Sequence, residues 1–173
     1  MRVRPLRGEP VALDLVNTVW REHGEPVDQL DDLEAVRAWL DEHGLPGDDD
    51  LEGVRDRLRQ ARDALRAALE EGDFRRLNAV LGHGATRPMM RGAEPYDVVV
   101  VEDPAWHAAW AATAAFARLI GERPERVRKC AHPDCVLWFL DASKNGTRRW
   151  CSMEGCGNRA KVGRFNRRQK PAG

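Results

Sequence analysis

The sequence predicts an α+β protein in two parts. Residues 1–122 form a mainly helical N-terminal domain with one β-hairpin, and residues 123–173 a small C-terminal module of hairpin and helix. Three observations carry this expectation. Apolar residues recur at helical spacing through most of the first part. A run of four valines, Val98 to Val101, interrupts them. All four cysteines follow residue 129. Charge divides the chain in the same place: residues 122–173 hold thirteen Lys and Arg against five Asp and Glu, so a net of +8 offsets −8 in residues 1–121. Such asymmetry points to a polyanion partner for the basic part, or to attraction between the two parts.

Hydrophobic residues make up 42 % and charged residues 32 %, as in a soluble folded protein. No apolar run approaches the ~20 residues that span a bilayer. The start, Met1-Arg-Val-Arg-Pro-Leu-Arg7, has the charge of a secretory leader, but Asp14 and Asn17 break the apolar stretch behind it. The expectation is a cytoplasmic protein with no membrane contact.

Pro10 suits a first helical turn, and Leu13, Val16 and Trp20 follow at helical spacing, predicting a helix to about Glu22. Asp14, Asn17 and Thr18 are polar within this apolar segment. They either point into a ligand pocket or hydrogen-bond inside the core. Leu33, Val36, Trp39 and Leu40 give a second helix, stopped by Gly44 and Pro46. Behind the acidic start Asp48-Asp-Asp50, the stripe Leu51, Val54, Leu58, Ala61, Leu65, Ala68 marks the clearest helix, better suited to packing on its own domain than to a coiled coil. A short helix carries Phe74, Leu77, Val80 and Leu81.

Thr86–Arg91 and Tyr96–Glu102 flank Gly92-Ala-Glu-Pro95 and predict a hairpin with a four-residue connection. The four valines suit a strand buried on both faces. Asp103-Pro104 caps a helix from Trp106 to Ile120, apolar nearly all round and so central to the core. Gly121 to Lys129 is the junction. Beyond it, Val136–Leu140 reads as a strand that turns at Asn145-Gly146 and returns through Thr147–Trp150, before a helix over about Glu154–Arg168.

Cys130, Cys135, Cys151 and Cys156 form two pairs, each with four intervening residues. Two thiolates from each pair are what one tetrahedral Zn²⁺ requires. A reducing interior favours metal ligation over the alternative of two disulfides. His132, between the first pair, is a substitute ligand for a shell that four cysteines already fill. Four thiolates leave zinc no open position, so the site is expected to be structural.

After Cys156, helical geometry places Asn158, Val162 and Phe165 within about 60° of one another, as a packed face. Arg159, Lys161, Arg164, Arg167, Arg168 and Lys170 fall on the other side, joined by Lys144, Arg148 and Arg149 from the hairpin. The surface suits nucleic-acid phosphates. Its bland alternative is a solvated face that balances the thiolates and the acidic body. Asn158, on the packed side, is expected to brace the knuckle rather than read a base.

Arg148-Arg-Trp-Cys-Ser-Met-Glu-Gly-Cys-Gly-Asn-Arg159, with the first cysteine pair before it, resembles the CGNR zinc finger family. In that family the finger usually follows a helical ABATE domain of stress-induced transcription regulators, and Leu13-Asp-Leu-Val-Asn-Thr18 is similar to its first motif. The resemblance implies that Cys130, Cys135, Cys151 and Cys156 hold one zinc and that the tail binds DNA; on the charge pattern, Arg148, Arg149, Lys161, Arg164, Arg167 and Arg168 are expected to contact its phosphates, and Arg159 either to do so or to brace the knuckle. The expected function is a zinc-finger transcription regulator, its N-terminal domain a sensor for a small-molecule effector or a unit of homodimerisation. The alternative is a zinc-stabilised protein-interaction module without nucleic-acid binding. No catalytic role is expected, since the chain has no phosphate-binding Gly-x-x-x-x-Gly-Lys loop, Gly-x-Ser-x-Gly elbow or His-Glu-x-x-His site.

Overall fold

A computed structural model describes residues 4–162. Arg164, Arg167 and Arg168, with the far half of the expected C-terminal helix, lie outside these residues. Helix α1 (Val11–Val16) is only six residues long. The chain then turns into a ribbon of β1 (Val19–Glu22) and β2 (Glu25–Asp28), where a continuing helix was expected. The turn explains the difference: His23 and Gly24 both have positive φ, +52° and +91°, and Val19 and Trp20 are strand formers.

Helix α2 (Leu33–Glu42) starts at Asp32, whose side chain accepts from the Glu34 N–H. Helix α3 (Leu51–Glu71) is capped by Asp50 and ends at Gly72 in the left-handed conformation that favours glycine. It is the scaffold, touching α1, α2, the short α4 (Arg75–Leu81) and α5 (His107–Glu122). Trp39, Leu13, Leu15, Leu58, Leu65 and Phe116 are fully buried between these helices.

Strands β3 (Gly84–Arg91) and β4 (Glu94–Val101) form the expected hairpin, closed by two residues instead of four. The valines are not buried on both faces: Val98 and Val100 are exposed, and Val101 packs on the core from the other side. β-branching favours a strand whether or not anything covers it.

The last ribbon pairs β5 (Val127–Lys129) with β6 (Trp138–Leu140). The expected pairing of Val136–Leu140 with Thr147–Trp150 does not form. Residues 141–148 instead make a loop on Asp141, whose carboxylate accepts from the N–H groups of Ser143 and Arg148 at 2.9 and 3.0 Å.

The outer edge of β6 is met by side chains. Asn17 donates Nδ2 to the Trp138 carbonyl at 2.8 Å and accepts the Trp138 N–H on Oδ1 at 2.9 Å. Glu9 accepts the Leu140 N–H at 2.7 Å. Trp138 thus joins the main helical core, while Leu6, Trp20 and Val27 pack with Leu137, Phe139 and three cysteines in a second cluster.

Asp28, at the end of β2, receives both terminal nitrogens of Arg62 at 2.6 Å. Arg62 also donates to Thr18 at 2.9 Å. Burial pushes the Asp28 carboxyl up, but the Arg62 hydrogen bonds and charge outweigh it and hold the carboxyl below its ordinary value.

Two outcomes follow from these contacts. Asn17→Leu should lower stability in urea by about 2–4 kcal/mol, because it strands two buried backbone groups of Trp138; a loss under about 1 kcal/mol would show the pair to be dispensable. A carboxylate depressed on folding stabilises above its unfolded pKa of about 3.9 and loses that contribution as pH falls through its folded value. Asp28→Asn should therefore be destabilising at pH 7, and the gap from the parent chain should close as the pH of the urea titration is taken below about 4.

Candidate metal centre

Each cysteine is placed by a backbone hydrogen bond or turn. The Cys130 N–H donates to the Leu137 carbonyl at 2.9 Å, extending the β5–β6 ladder by one rung. The Cys135 N–H closes a turn on the His132 carbonyl at 3.0 Å. Ala131 N–H to the Arg149 carbonyl, 2.8 Å, brings in the second arm. Ser152 then caps a wide helical turn, Met153–Gly157, by accepting the Gly155 N–H at 3.0 Å. Cys156 sits inside that turn, which continues as helix over 158–162.

The four sulfurs lie within 4.8 Å of one another. Cys135 and Cys151 are 3.8 Å apart, and Cys151 and Cys156 3.6 Å. Tetrahedral Zn–S bonds of ~2.3 Å require neighbouring sulfurs roughly 3.8 Å apart, whereas a disulfide holds them at ~2.0 Å. The spacing fits a zinc ion and not two disulfides, and all four cysteines are free.

The thiol acidities point the same way. Hydrogen bonds from the Cys135 and Cys151 thiols pull Cys130 far down. The hydrogen bond with Cys130 pushes Cys135 up to about 12, and Cys151 is driven higher still by its bonds with Cys130 and Cys135. One thiolate is easy and the next are not. Four thiolates at this distance need a multivalent cation among them.

Partners for the sulfur charge are present. The Cys151 N–H points at Cys130 Sγ, 3.4 Å away, and Arg159 Nη2 donates to Cys156 Sγ at 3.0 Å. That bond holds the Arg159 guanidinium more firmly protonated than usual. His132 accepts the Asp134 N–H on Nδ1 at 3.3 Å and is not one of the clustered ligands. Zinc held by this donor set has no open position, so what it supplies is folding energy for a segment with little core of its own.

The expected phosphate contacts separate into two kinds. Arg148 is engaged internally: it donates to the carbonyls of Trp150, at 3.0 Å, and Cys151, lies over the Phe139 ring at 4.3 Å, and is 3.8 Å from Glu9. Arg149 stacks on Trp150 at 5.2 Å, and Lys161 is exposed. Asn158 is also exposed, its amide donating to the Glu154 carbonyl at 3.4 Å, so it steadies its own helical turn instead of packing beneath the knuckle.

Asp14, Asn17 and Thr18 are 0 % exposed. Asp14 Oδ2 accepts from Arg4, from Trp39 Nε1 at 3.0 Å and lies 2.6 Å from His43 Nε2. Thr18 donates to the Leu15 carbonyl at 2.7 Å. The Asn17 amide, the Thr18 hydroxyl and Asp14 Oδ2 are bonded within the protein, whereas Asp14 Oδ1 is buried without a hydrogen-bond partner among the described residues. They line neither the 400 Å³ hollow beside Asp28 and Asp32 nor the 540 Å³ cleft where Trp20, His23, Cys135, Cys156 and Arg159 meet. Sequence reasoning missed Glu9 and Arg126, which hold β6 and its loop; Arg126 donates to the Ser143 carbonyl at 2.7 Å. Neither sits in a motif that could have marked it.

Residues 9–123 match the family model of ABATE, described as "putative stress-induced transcription regulator", and residues 126–169 match that of the CGNR zinc finger. No curated protein matches the chain.

Removing the Arg159 guanidinium takes away a donor to a ligand sulfur, which typically costs 10–100-fold in metal affinity. Arg159→Ala should release zinc to a chromogenic chelator at about ten-fold lower chelator concentration or less, with Arg159→Lys intermediate. Equal retention by all three proteins would remove Arg159 from the centre.

Proposed function

The chain belongs to the ABATE family, and we propose on that premise that it is a zinc-dependent transcription regulator whose C-terminal segment binds DNA through phosphate contacts. The observation that carries this reading is the excess of cations in the segment that supplies a closed cage. One −2 site is served by Arg159 and a backbone N–H, yet residues 122–173 net +8.

Arg149 and Lys161 supply phosphate contacts from beside the cage, with Arg164, Arg167 and Arg168 following in sequence. Arg148 and Arg159 brace the module that presents them. The work is non-catalytic and belongs in the cytoplasm, where the DNA is. No helix among the described residues is long and apolar enough to cross a membrane. The N-terminal domain senses or pairs. A small-molecule effector finds space in the 540 Å³ cleft, where the β1–β2 turn faces the cage, so occupancy there would bear on the finger.

Fluorescence anisotropy of the zinc-loaded chain with a random-sequence duplex at two salt concentrations tests the reading. Affinity should fall steeply with salt, and Arg149→Ala and Lys161→Ala should each weaken binding across sequences and reduce the log–log slope by about 1. Absence of salt-sensitive binding would leave the zinc-stabilised protein-interaction module in its place.

A further inference from the structure

The β3–β4 ribbon is used by neither the metal centre nor the phosphate contacts. It runs eight residue pairs, roughly 27 Å at about 3.4 Å per residue, as a two-stranded sheet. Such a ribbon is marginal in water, and its unpaired edges invite further strands. Here the edges are blocked. Gly92 and Ala93 make a two-residue turn, so Arg91 and Glu94 form the closing hydrogen-bonded pair, and the pairs alternate from there. Met90–Pro95 and Pro88–Asp97 are then the pairs whose backbone points outward. Each edge meets a newcomer with a proline that has no N–H to give.

The faces differ. Val99 and Val101 are half-buried on the side toward the body, and β4 touches α5. The opposite face carries Met89, Tyr96, Val98 and Val100, each 38–42 % exposed, with Arg87 across from Val98 in their midst and the Arg91 guanidinium over the Tyr96 ring at 4.9 Å. By strand alternation, Arg91 and Glu94 end this apolar face at the tip, and His83 and Glu102, 3.3 Å apart, end it at the root.

We propose that this face packs on the same face of a second copy, about a two-fold axis that runs along the ribbon. The proposal rests on the reading of the N-terminal domain as a pairing unit and is independent of DNA contact. An axis along the ribbon lays β3 of one copy over β4 of the other. Because Met89 pairs with Tyr96 and Arg91 with Glu94 inside the ribbon, that axis sets Met89 over the partner's Tyr96 and Arg91 over the partner's Glu94. An end-over-end axis instead lays β4 on β4, with Glu94 against the partner's Glu102. Charge selects one polarity of self-pairing. The body lies behind Val99 and Val101, clear of the contact. A face roughly 27 Å by 10 Å is well below the ~800 Å² per partner of a stable interface, so the pairing is reversible and depends on concentration.

Sedimentation of the full zinc-loaded chain without nucleic acid, over a wide range of concentration, tests this. A monomer–dimer equilibrium is expected, and Val98→Lys, which sets a cation against the partner's Arg87, should abolish it. Arg91→Glu and Glu94→Arg, both at the exposed tip and checked for fold by circular dichroism, should each weaken association about ten-fold or more. An equimolar mixture of these two variants should associate as the parent does, because each reversed side chain meets an opposite charge. A monomer at every concentration, a dimer indifferent to Val98→Lys, or a mixture no tighter than its components would overturn the proposal. A chain that dimerises this way yet ignores DNA keeps this inference and loses the phosphate-binding one.

Discussion

One carboxamide stands where a strand would stand. Asn17 offers β6 the donor and acceptor that a neighbouring backbone would, and Glu9 supplies the next acceptor two residues along. Without them the outer edge of β6 would be buried and unsatisfied, a cost that a three-residue strand cannot carry. The position of the metal-binding segment on the helical body follows from this edge. With β6 fixed, β5 and the first cysteine pair are fixed as well.

The cage has walls from both parts of the chain. Trp20 and Val27 come from the β1–β2 ribbon, Leu6 from the segment before α1, and Leu137 and Phe139 from β6 and its approach. Apolar walls bury Cys130, Cys151 and Cys156 on the side of the body, while Arg159, itself exposed, reaches Cys156 from the side of the cleft. Metal binding and the packing of the β1–β2 ribbon are therefore coupled. Loss of the ion removes support from side chains more than a hundred residues away in sequence.

Much of this was legible in the chain itself. Cysteine spacing identified the cage, because only a small set of residue types can ligate zinc and all four are present in two pairs. Helix α3 was legible because its apolar periodicity is long and its cap, Asp50, stands where capping chemistry requires it, and α5 because it is apolar nearly all round, with Asp103 capping the 3-10 turn Pro104–Trp106 that leads into it. The β1–β2 ribbon was hidden because Leu13, Val16 and Trp20 fit a helical period as well as they fit a short helix followed by a strand. The β5–β6 pairing was hidden by a misleading local signal: Asn145-Gly146 does turn the chain, but the partner of β6 precedes the first cysteine pair. Asp14, Asn17 and Thr18 were conspicuous as polar residues in an apolar run. Their partners, Arg4, Trp39, Trp138 and Arg62, come from every distance along the chain, and no spacing rule connects them.

The shared edge at β6 also bears on how such a protein can be rearranged by recombination. The finger looks portable in sequence, since its cysteines and basic residues all follow residue 122. A graft of that segment onto a foreign body would leave behind Asn17 and Glu9, together with the Leu6, Trp20 and Val27 wall of its cage. The inheritable unit is larger than the motif. Shuffling that preserves function must carry the first helix and the first ribbon along with the cysteines.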